Sequence, residues 1–290
     1  MTTDSAIEWI KFGKKYPNTD SWAVRETTLR IRKGAVFGIF GRNGSGKTTL
    51  MRAAAGLIRP TIGCVRVDGR PVTRTGLATG HVVGYMPQRA LSLNSLTVGE
   101  SVACFSKINS LSSTNRGLRD SVVEDLGIAA LWGKPVKSLS GGQAKLVQFA
   151  VSFCTNSDTL VLDEPTNELD TINRRKLWAA IGNANRNGKT IAVVSHNILE
   201  AADVVTDIAI VHQGDVVLCG PAKNIVNESS ALLTIRHTSP DSRERYDAVD
   251  ELGASQVPAR VKQLIADGVV DIAVGPPQLE EIFCQVVNDA

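Results

Sequence analysis

The chain has 290 residues, of which 43% are hydrophobic, so it is long enough to bury one sizeable core and a small second one. Lysine and arginine number 32 against 29 aspartates and glutamates, and the net charge of +3 without a basic block gives no support to nucleic-acid binding. The five cysteines lie too far apart for a CxxC or zinc-ligand spacing, which favours reduced thiols in a cytosolic protein. We expect neither a signal peptide nor a membrane span, so that any membrane role is peripheral.

The N-terminal part of the chain predicts an antiparallel β pair, followed by a strand, a glycine-rich loop and a helix. Residues 7–12 and 28–31 have the residue pattern of strands, and residues 35–40 form an apolar run that leads into the loop. Residues 49–55 continue as a helix. The loop therefore has the preceding strand and following helix that a phosphate-binding loop requires.

Two further strands are predicted at residues 63–67 and 81–85, before the pattern changes to helical over residues 96–136. Within this segment Thr97 and Glu100 have the spacing of a capping box ahead of an apolar-periodic stretch. The sequence thus predicts a helical subdomain inserted into an α/β core.

Apolar, mostly β-branched runs return in the second half of the chain, with a helix predicted over residues 172–185. The runs are residues 159–162, 190–194, 208–211 and 216–218. Such strands alternating with helices predict a mostly parallel sheet. The polar stretch at residues 227–230 predicts a boundary between a main domain over residues 1–228 and a small α/β accessory domain over residues 229–290.

The string GRNGSGKT at residues 41–48 predicts a phosphate-binding loop. Its glycines let the backbone approach an anion closely, and successive amides with the following helix N-terminus face the phosphates. Lys47 is expected on the β- and γ-phosphates and Thr48 on Mg²⁺. The predicted nucleotide-binding residues in and after this loop are Gly41, Asn43, Gly44, Ser45, Gly46, Lys47, Thr48 and Thr49.

Two acids follow the apolar run at residues 159–162, at the strand end where α/β sheets hold their ligands. Asp163 is suited to hold Mg²⁺ through water, and Glu164 to orient and deprotonate an attacking water. On their own they would indicate a solvated acidic turn. Downstream of a phosphate-binding loop they predict a hydrolytic site.

The string LSGGQ at residues 139–143 predicts a second phosphate-binding feature, at the start of a helix. It lies far along the chain from Lys47, behind the helical segment, too far to close comfortably over the same nucleotide. We therefore expect a second copy of the chain to supply it. The residues concerned are Ser140, Gly141, Gly142 and Gln143.

These motifs resemble those of the ATPase subunits of ATP-binding cassette (ABC) transporters, over residues 7–220. The resemblance implies that Tyr16 stacks on adenine, with Trp22 as a rival. It also implies that Gln88 links Mg²⁺ and the attacking water to the transporter interface. By the same resemblance, Asp170 contacts the opposed subunit, and His196 grips the γ-phosphate.

Two positions depart from the family pattern. Leu146 stands where an arginine is common. This leaves open which side chain stabilises the helix that starts at the LSGGQ string (the signature helix), with Lys145 as a possible substitute. Arg42 replaces a frequent proline. The string QLEEIF at residues 278–283 resembles the end of a subgroup that works with exporter-type membrane subunits, although an ordinary amphipathic helix explains it equally well.

The predicted fold is therefore α/β, a P-loop NTPase core with an N-terminal antiparallel β subdomain, an inserted helical subdomain and a small C-terminal α/β appendage. The predicted protein binds ATP and Mg²⁺, forms a head-to-tail homodimer around two ATP, and acts at the cytoplasmic face of the membrane with a polytopic permease subunit, in the direction of export. The competing interpretation is a soluble ATPase acting on nucleic acid or ribosomes, which usually carries a long coiled-coil insertion or a second cassette. A regulator without turnover conflicts with Glu164 and His196.

Overall fold

The computed structural model describes residues 4–17, 19–72, 83–89, 93–229, 234–238, 244–248, 257–275, 278, 281–283 and 286. Contacts between Cα atoms divide the chain into two compact units, Met1–Cys219 and Gly220–Ala290. The predicted boundary at residue 228 falls inside a helix, Ala222–Ser229, because the polar residues before position 230 continue that helix instead of forming a linker. The division of function between two domains stays a prediction.

The strands in chain order are β1 (Ser5–Lys15), β2 (Trp22–Arg32), β3 (Val36–Phe40), β4 (Ile62–Val67), β5 (Arg70–Pro71), β6 (Gly84–Met86), β7 (Thr159–Asp163), β8 (Thr190–Ser195), β9 (Asp207–His212), β10 (Asp215–Pro221), β11 (Thr234–Thr238), β12 (Glu244–Ala248) and β13 (Val270–Gly275). The α-helices are α1 (Lys47–Ala54), α2 (Val98–Ile108), α3 (Ser113–Asp125), α4 (Gly141–Ser152), α5 (Thr171–Arg186), α6 (Ala222–Ser229) and α7 (Val257–Ala266). Among the described residues, no helix has the length and apolar character needed to cross a bilayer.

The first unit contains two sheets of the predicted kinds. One has the order β2-β1-β4-β5, with antiparallel pairing throughout. The other has the order β10-β9-β3-β8-β7-β6, in which β3, β6, β7, β8 and β9 pair in parallel. The antiparallel β subdomain and the parallel core are both confirmed. The predicted strand over residues 81–85 overlaps β6, which spans Gly84–Met86. Residues 81 and 82 lie outside the described residues.

The helices α2 and α3 lie between β6 and β7 in the chain, as the predicted helical insertion requires. The capping box is observed: the Thr97 hydroxyl accepts from the Glu100 amide at 3.2 Å, and the Glu100 carboxylate accepts from the Thr97 amide at 2.8 Å. In the second unit, β12-β11-β13 form an antiparallel sheet, and Ile235 and Leu264 are the buried centre of a small core.

The three central strands position the site. Every residue of β3, β7 and β8 is buried, which is the pattern of a parallel sheet covered on both faces. Because β3, β7 and β8 run in the same direction, their carboxyl ends meet at one edge, where ligands bind in open α/β sheets. The phosphate-binding loop, the acid pair and His196 follow these three strand ends.

Trp9 connects the antiparallel sheet to the helix that follows the phosphate-binding loop. Its side chain is fully buried in β1, and its indole Nε1 donates a hydrogen bond to the Leu50 carbonyl of α1 at 3.2 Å. A buried indole N–H is costly to leave without an acceptor. The indole therefore contributes both packing and the orientation of α1.

We expect Trp9→Ala to lower the free energy of unfolding by about 3–5 kcal/mol, because it leaves a cavity and removes the donor to Leu50. The matched control is Ile108→Ala, since Ile108 is 68% exposed and its loss should change stability by no more than about 0.5 kcal/mol. Urea unfolding followed by circular dichroism measures both. Equal unfolding midpoints for the two variants would contradict this role of Trp9.

Candidate functional site

The phosphate-binding loop lies between β3 and α1, and two of its glycines have no room for a side chain. A Cβ at Gly41 would lie 2.2 Å from the Val211 carbonyl oxygen, and one at Gly46 would lie 2.4 Å from the Ala23 carbonyl oxygen. Gly46 also has φ 111°, which L side chains rarely adopt. At these two glycines the loop backbone is thus packed closely against the neighbouring strands β9 and β2.

Lys47 lies under this loop, 5% exposed, and its ammonium bonds the loop backbone. Its Nζ donates to the carbonyls of Gly41 at 2.7 Å and Arg42 at 2.9 Å. Burial lowers the Lys47 pKa, and the nearby carboxylates of Glu164 and Asp163 act in the opposite direction. An ammonium has three donors, so one remains for a phosphate after the two bonds within the loop.

Thr48 and Asp163 form a pair suited to a hard cation. The Thr48 hydroxyl donates to Asp163 Oδ1 at 3.1 Å, and the other carboxylate oxygen, Oδ2, is buried without a hydrogen-bond partner among the described residues. Burial, and to a lesser extent the Glu164 charge, raises the Asp163 pKa, while the Thr48 bond lowers it. A buried carboxylate is normally paired or bound to a metal, and Mg²⁺ prefers oxygen ligands. The residues therefore fit Mg²⁺.

Glu164 and His196 are brought together from two strand ends. Glu164 Oε2 lies 3.0 Å from His196 Nδ1, and the Glu164 amide donates to the Val194 carbonyl at 3.0 Å. Glu164 has φ 51° and is 4% exposed. A non-glycine residue in the left-handed region costs about 1–3 kcal/mol and is common at functional sites. Here it turns the carboxylate toward the histidine, whose side chain is 56% exposed.

The signature residues 140–143 form the start of α4. Ser140 is its N-cap: its hydroxyl accepts from the Gln143 amide at 3.3 Å, and Gln143 Oε1 accepts from the Ser140 amide at 3.2 Å. The hydroxyl hydrogen stays available as a donor. Gly141 and Gly142 begin the helix, whose N-terminus carries a partial positive charge that favours an anion. None of the described hydrogen bonds joins residues 140–143 to the phosphate-binding loop of the same chain.

Tyr16 and its rival Trp22 both lie near the phosphate-binding loop. The Tyr16 hydroxyl is 3.4 Å from Thr49 Oγ1, and Lys14 Nζ lies 5.3 Å from the Tyr16 ring centre. Trp22 is 37% exposed at the start of β2, next to Ala23, whose carbonyl approaches Gly46. Both aromatics therefore lie close to the phosphate-binding loop, and the choice of Tyr16 as the adenine contact stays a prediction.

Gln88 and Asp170 also keep their predicted roles as predictions. Gln88 is exposed just after β6, and its backbone carbonyl accepts from Lys145 Nζ at 2.8 Å. Asp170 is the N-cap of α5 and accepts from the Asn173 amide at 2.9 Å, which holds the Asp170 pKa below its usual range. Sequence reasoning did not find Gln148, which bonds the same loop as Lys145. The available signal was a glutamine within the otherwise apolar run at residues 146–151.

Comparisons with known proteins agree on one family. The ABC transporter family model matches residues 24–167. The methionine import ATP-binding protein MetN 2 of Burkholderia pseudomallei is 32% identical over 290 residues, which covers 95% of this chain and 73% of the relative. The daunorubicin resistance ATP-binding protein DrrA3 of Streptomyces coeruleorubidus is 28% identical over 308 residues, 99% of this chain and 97% of the relative.

Among solved structures, a dimeric bacterial ABC transporter cassette superposes with a TM-score of 0.64 at 26% identity, and covers 74% of this chain and 98% of that one. The structure of an ATP-binding subunit of an ABC transporter gives a TM-score of 0.68 at 18% identity, with 77% and 93% covered. The glycine loop, the buried acids and the matches across almost the whole chain lead to one conclusion: this chain belongs to the ABC transporter ATP-binding proteins and is an ATP-binding ATPase subunit of that family.

Proposed function

We propose that the chain forms a head-to-tail homodimer around two ATP molecules with Mg²⁺, and that hydrolysis reopens this dimer. One observation carries the proposal. Lys47, Asp163, Glu164 and His196 lie at one edge of the parallel sheet, whereas no described hydrogen bond links them to the start of α4. The chemistry is complete only when a second chain presents its Ser140.

Within one chain, each residue of the edge has a distinct task. Lys47 binds the β- and γ-phosphates, and its position under the loop directs its third donor outward from the two carbonyls it already bonds. Thr48, Asp163 and Gln88 would hold Mg²⁺, which when bound would neutralise phosphate charge. Glu164 orients and deprotonates the attacking water, and His196 grips the γ-phosphate.

The second chain completes the γ-phosphate site. Its Ser140 hydroxyl and the amides of Gly141 and Gly142 are donors at a helix N-terminus, and such donors bind phosphate without rearrangement of the backbone. Asp170, at the start of α5, contacts the opposed subunit. The family relationship to a cassette solved as a dimer supports this arrangement.

The membrane partner is a separate polytopic subunit, and the ATPase acts at the cytoplasmic face of the membrane. We propose export, because the chain and the daunorubicin resistance relative match over nearly their whole lengths and because residues 278–283 resemble the end of the exporter subgroup. The methionine import relative supports the opposite direction. The competing function is that of a soluble ATPase bound to nucleic acid or ribosomes.

The dimer is tested with Glu164→Gln, which keeps the size and hydrogen bonding of the side chain and removes the base. We expect turnover to fall about 10²- to 10⁴-fold while ATP and Mg²⁺ shift the protein from monomer to dimer in size-exclusion chromatography. Adding Ser140→Arg to this variant should abolish the shift and spare ATP binding to the monomer. Adding Lys47→Ala should abolish both, since the phosphates lose their cation. A Glu164→Gln protein that stays monomeric contradicts the proposed dimer.

The adenine contact is tested by comparing Tyr16→Ala with Trp22→Ala. We expect Tyr16→Ala to weaken ATP binding by about 1–3 kcal/mol, the usual contribution of base stacking. Tyr16→Phe keeps the ring and loses only the 3.4 Å contact with Thr49, so it should bind nearly as well as the natural protein. Equilibrium titration with a fluorescent ATP analogue measures all three. If Trp22→Ala carries the loss instead, Trp22 is the stacking residue.

The membrane partner is tested by purification from detergent-solubilised membranes. We expect a polytopic subunit without an ATPase of its own to co-purify with the chain. Arg89→Glu on the exposed surface after Gln88 should release that subunit and leave ATP binding intact, as should substitution of exposed Asn94. Arg59→Glu is the matched control, because it makes the same change at an exposed arginine outside this surface. Recovery of the chain with ribosomes or nucleic acid, and without a membrane subunit, would establish the competing function.

A further inference from the structure

Residues 87–89, which follow β6 and are called the Gln88 loop below, each accept a hydrogen bond at the backbone carbonyl. All three bonds come from one helix, α4. Lys145 Nζ donates to the Gln88 carbonyl at 2.8 Å. Gln148 Nε2 donates to the carbonyls of Pro87 at 2.6 Å and Arg89 at 3.1 Å. Lys145 and Gln148 are three positions apart, so they lie on the same face of α4. The loop is therefore held through its backbone at three successive residues.

Both donors are buried, with exposed fractions of 5% for Lys145 and 2% for Gln148. Gln148 Oε1 is also buried and has no hydrogen-bond partner among the described residues. A buried polar atom without a partner is unfavourable, so packing alone favours an apolar side chain at this position. The three carbonyls are the physical reason for a glutamine here.

The surroundings of Lys145 link it to the proposed hydrolytic site. Burial lowers the Lys145 pKa. The carboxylates of Glu168, Asp163 and Glu164, in decreasing order of effect, raise it. Leu146 is 3% exposed and has no polar side-chain atom with which to bond the loop. The contact to Gln88 is thus made by the lysine next to the position where an arginine was expected.

The other end of the same helix carries the signature. Ser140 is the N-cap of α4, and about two helical turns, roughly 12 Å, separate it from Gln148. An α-helix of this length moves as a rigid element. A displacement of the Gln88 loop is therefore passed to Ser140 through α4, as long as the bonds from Lys145 and Gln148 persist.

We propose that Lys145 and Gln148 are positioning residues that join the Gln88 loop to the signature helix as one moving unit. Gln88 then reaches the ATP of its own chain at the same time as Ser140 reaches the ATP of the partner. This inference rests on the proposed roles of Gln88 and Ser140 and adds the link between them. Neither Lys145 nor Gln148 needs to touch ATP for this effect.

The first experiment measures ATP-driven dimerisation in the Glu164→Gln background. We expect Lys145→Met and Gln148→Leu each to raise the ATP concentration for half-maximal dimerisation about 10- to 100-fold, the loss that corresponds to one hydrogen bond to a charged phosphate. Affinity of the monomer for a fluorescent ATP analogue should change less than about twofold, since residues 41–49 are untouched. Lys145→Arg, which retains donors, should restore most of the response.

Lys107→Met is the matched control, because Lys107 is an exposed lysine on α2 and makes the same change outside the contact. If Lys145→Met and Gln148→Leu dimerise at the same ATP concentration as this control, the proposed link between the Gln88 loop and the signature helix is wrong. The proposed dimer is not affected by that result. Failure of Glu164→Gln itself to dimerise is a failure of the proposed function. If one of the two variants does not fold, the other tests the same link from the second side chain.

The second experiment separates positioning from a merely structural role with a double-mutant cycle on the ATPase that retains Glu164. We expect Lys145→Met to lower kcat about 10- to 100-fold with a smaller change in KM. In the Gln148→Leu background the same substitution should lower kcat by a smaller factor, because both changes loosen the same contact between α4 and residues 87–89. Fully additive losses in kcat would show that Lys145 and Gln148 act independently and would overturn the inference.

Discussion

The parallel register of three buried strands determines where all the chemistry of this chain lies. Val194 of β8 is paired with Ile39 of β3 on one side and with Asp163 of β7 on the other. The next residues along the chain are Phe40 in β3, Ser195 in β8, and Glu164 directly after the end of β7. A shift of one residue between β7 and β8 would turn Glu164 away from His196, and a shift in either pairing would turn Asp163 away from Thr48, since successive side chains point to opposite faces.

This register also creates an electrostatic problem that a nucleotide and a cation would resolve. Asp163 and Glu164 are adjacent buried carboxylates, and the nearby Lys47 ammonium is already bonded to two carbonyls. Burial and, to a lesser extent, the neighbouring acid raise the Asp163 pKa, so the charged form is less favourable here than in water. A divalent cation reverses that balance, because its charge favours ionised oxygens at close range. We therefore regard the cost of burying Asp163 as part of how the proposed site favours binding of ATP together with Mg²⁺.

Sequence reasoning identified what is encoded locally and missed what depends on packing between distant segments. Residue type and spacing are sufficient to predict a feature that is contained in a short stretch of sequence. Examples are the glycines at positions 41, 44 and 46, the pair Asp163 and Glu164, and the capping box at Thr97. The contact of Lys145 with Gln88 spans 57 positions, and that of Tyr16 with Thr49 spans 33, so neither can be read from periodicity. The boundary predicted at residue 228 lies within the helix Ala222–Ser229, because a run of polar residues can equally be the end of a helix.

In the proposed dimer, the amount of free energy that ATP must supply is modest. Moving an open and closed population from 1:99 to 99:1 requires about 5.5 kcal/mol of differential binding. Hydrogen bonds to charged groups contribute about 1.5–3 kcal/mol each, so a few bonds from Ser140 and the adjacent amides to each γ-phosphate are sufficient. Those bonds act on closure only if the signature helix is held in one place. Three bonds from Lys145 and Gln148 to the loop at residues 87–89 would provide that constraint, and they place it on the surface where we propose that the membrane subunit binds. A movement of that subunit would then reach both ATP sites through a single helix.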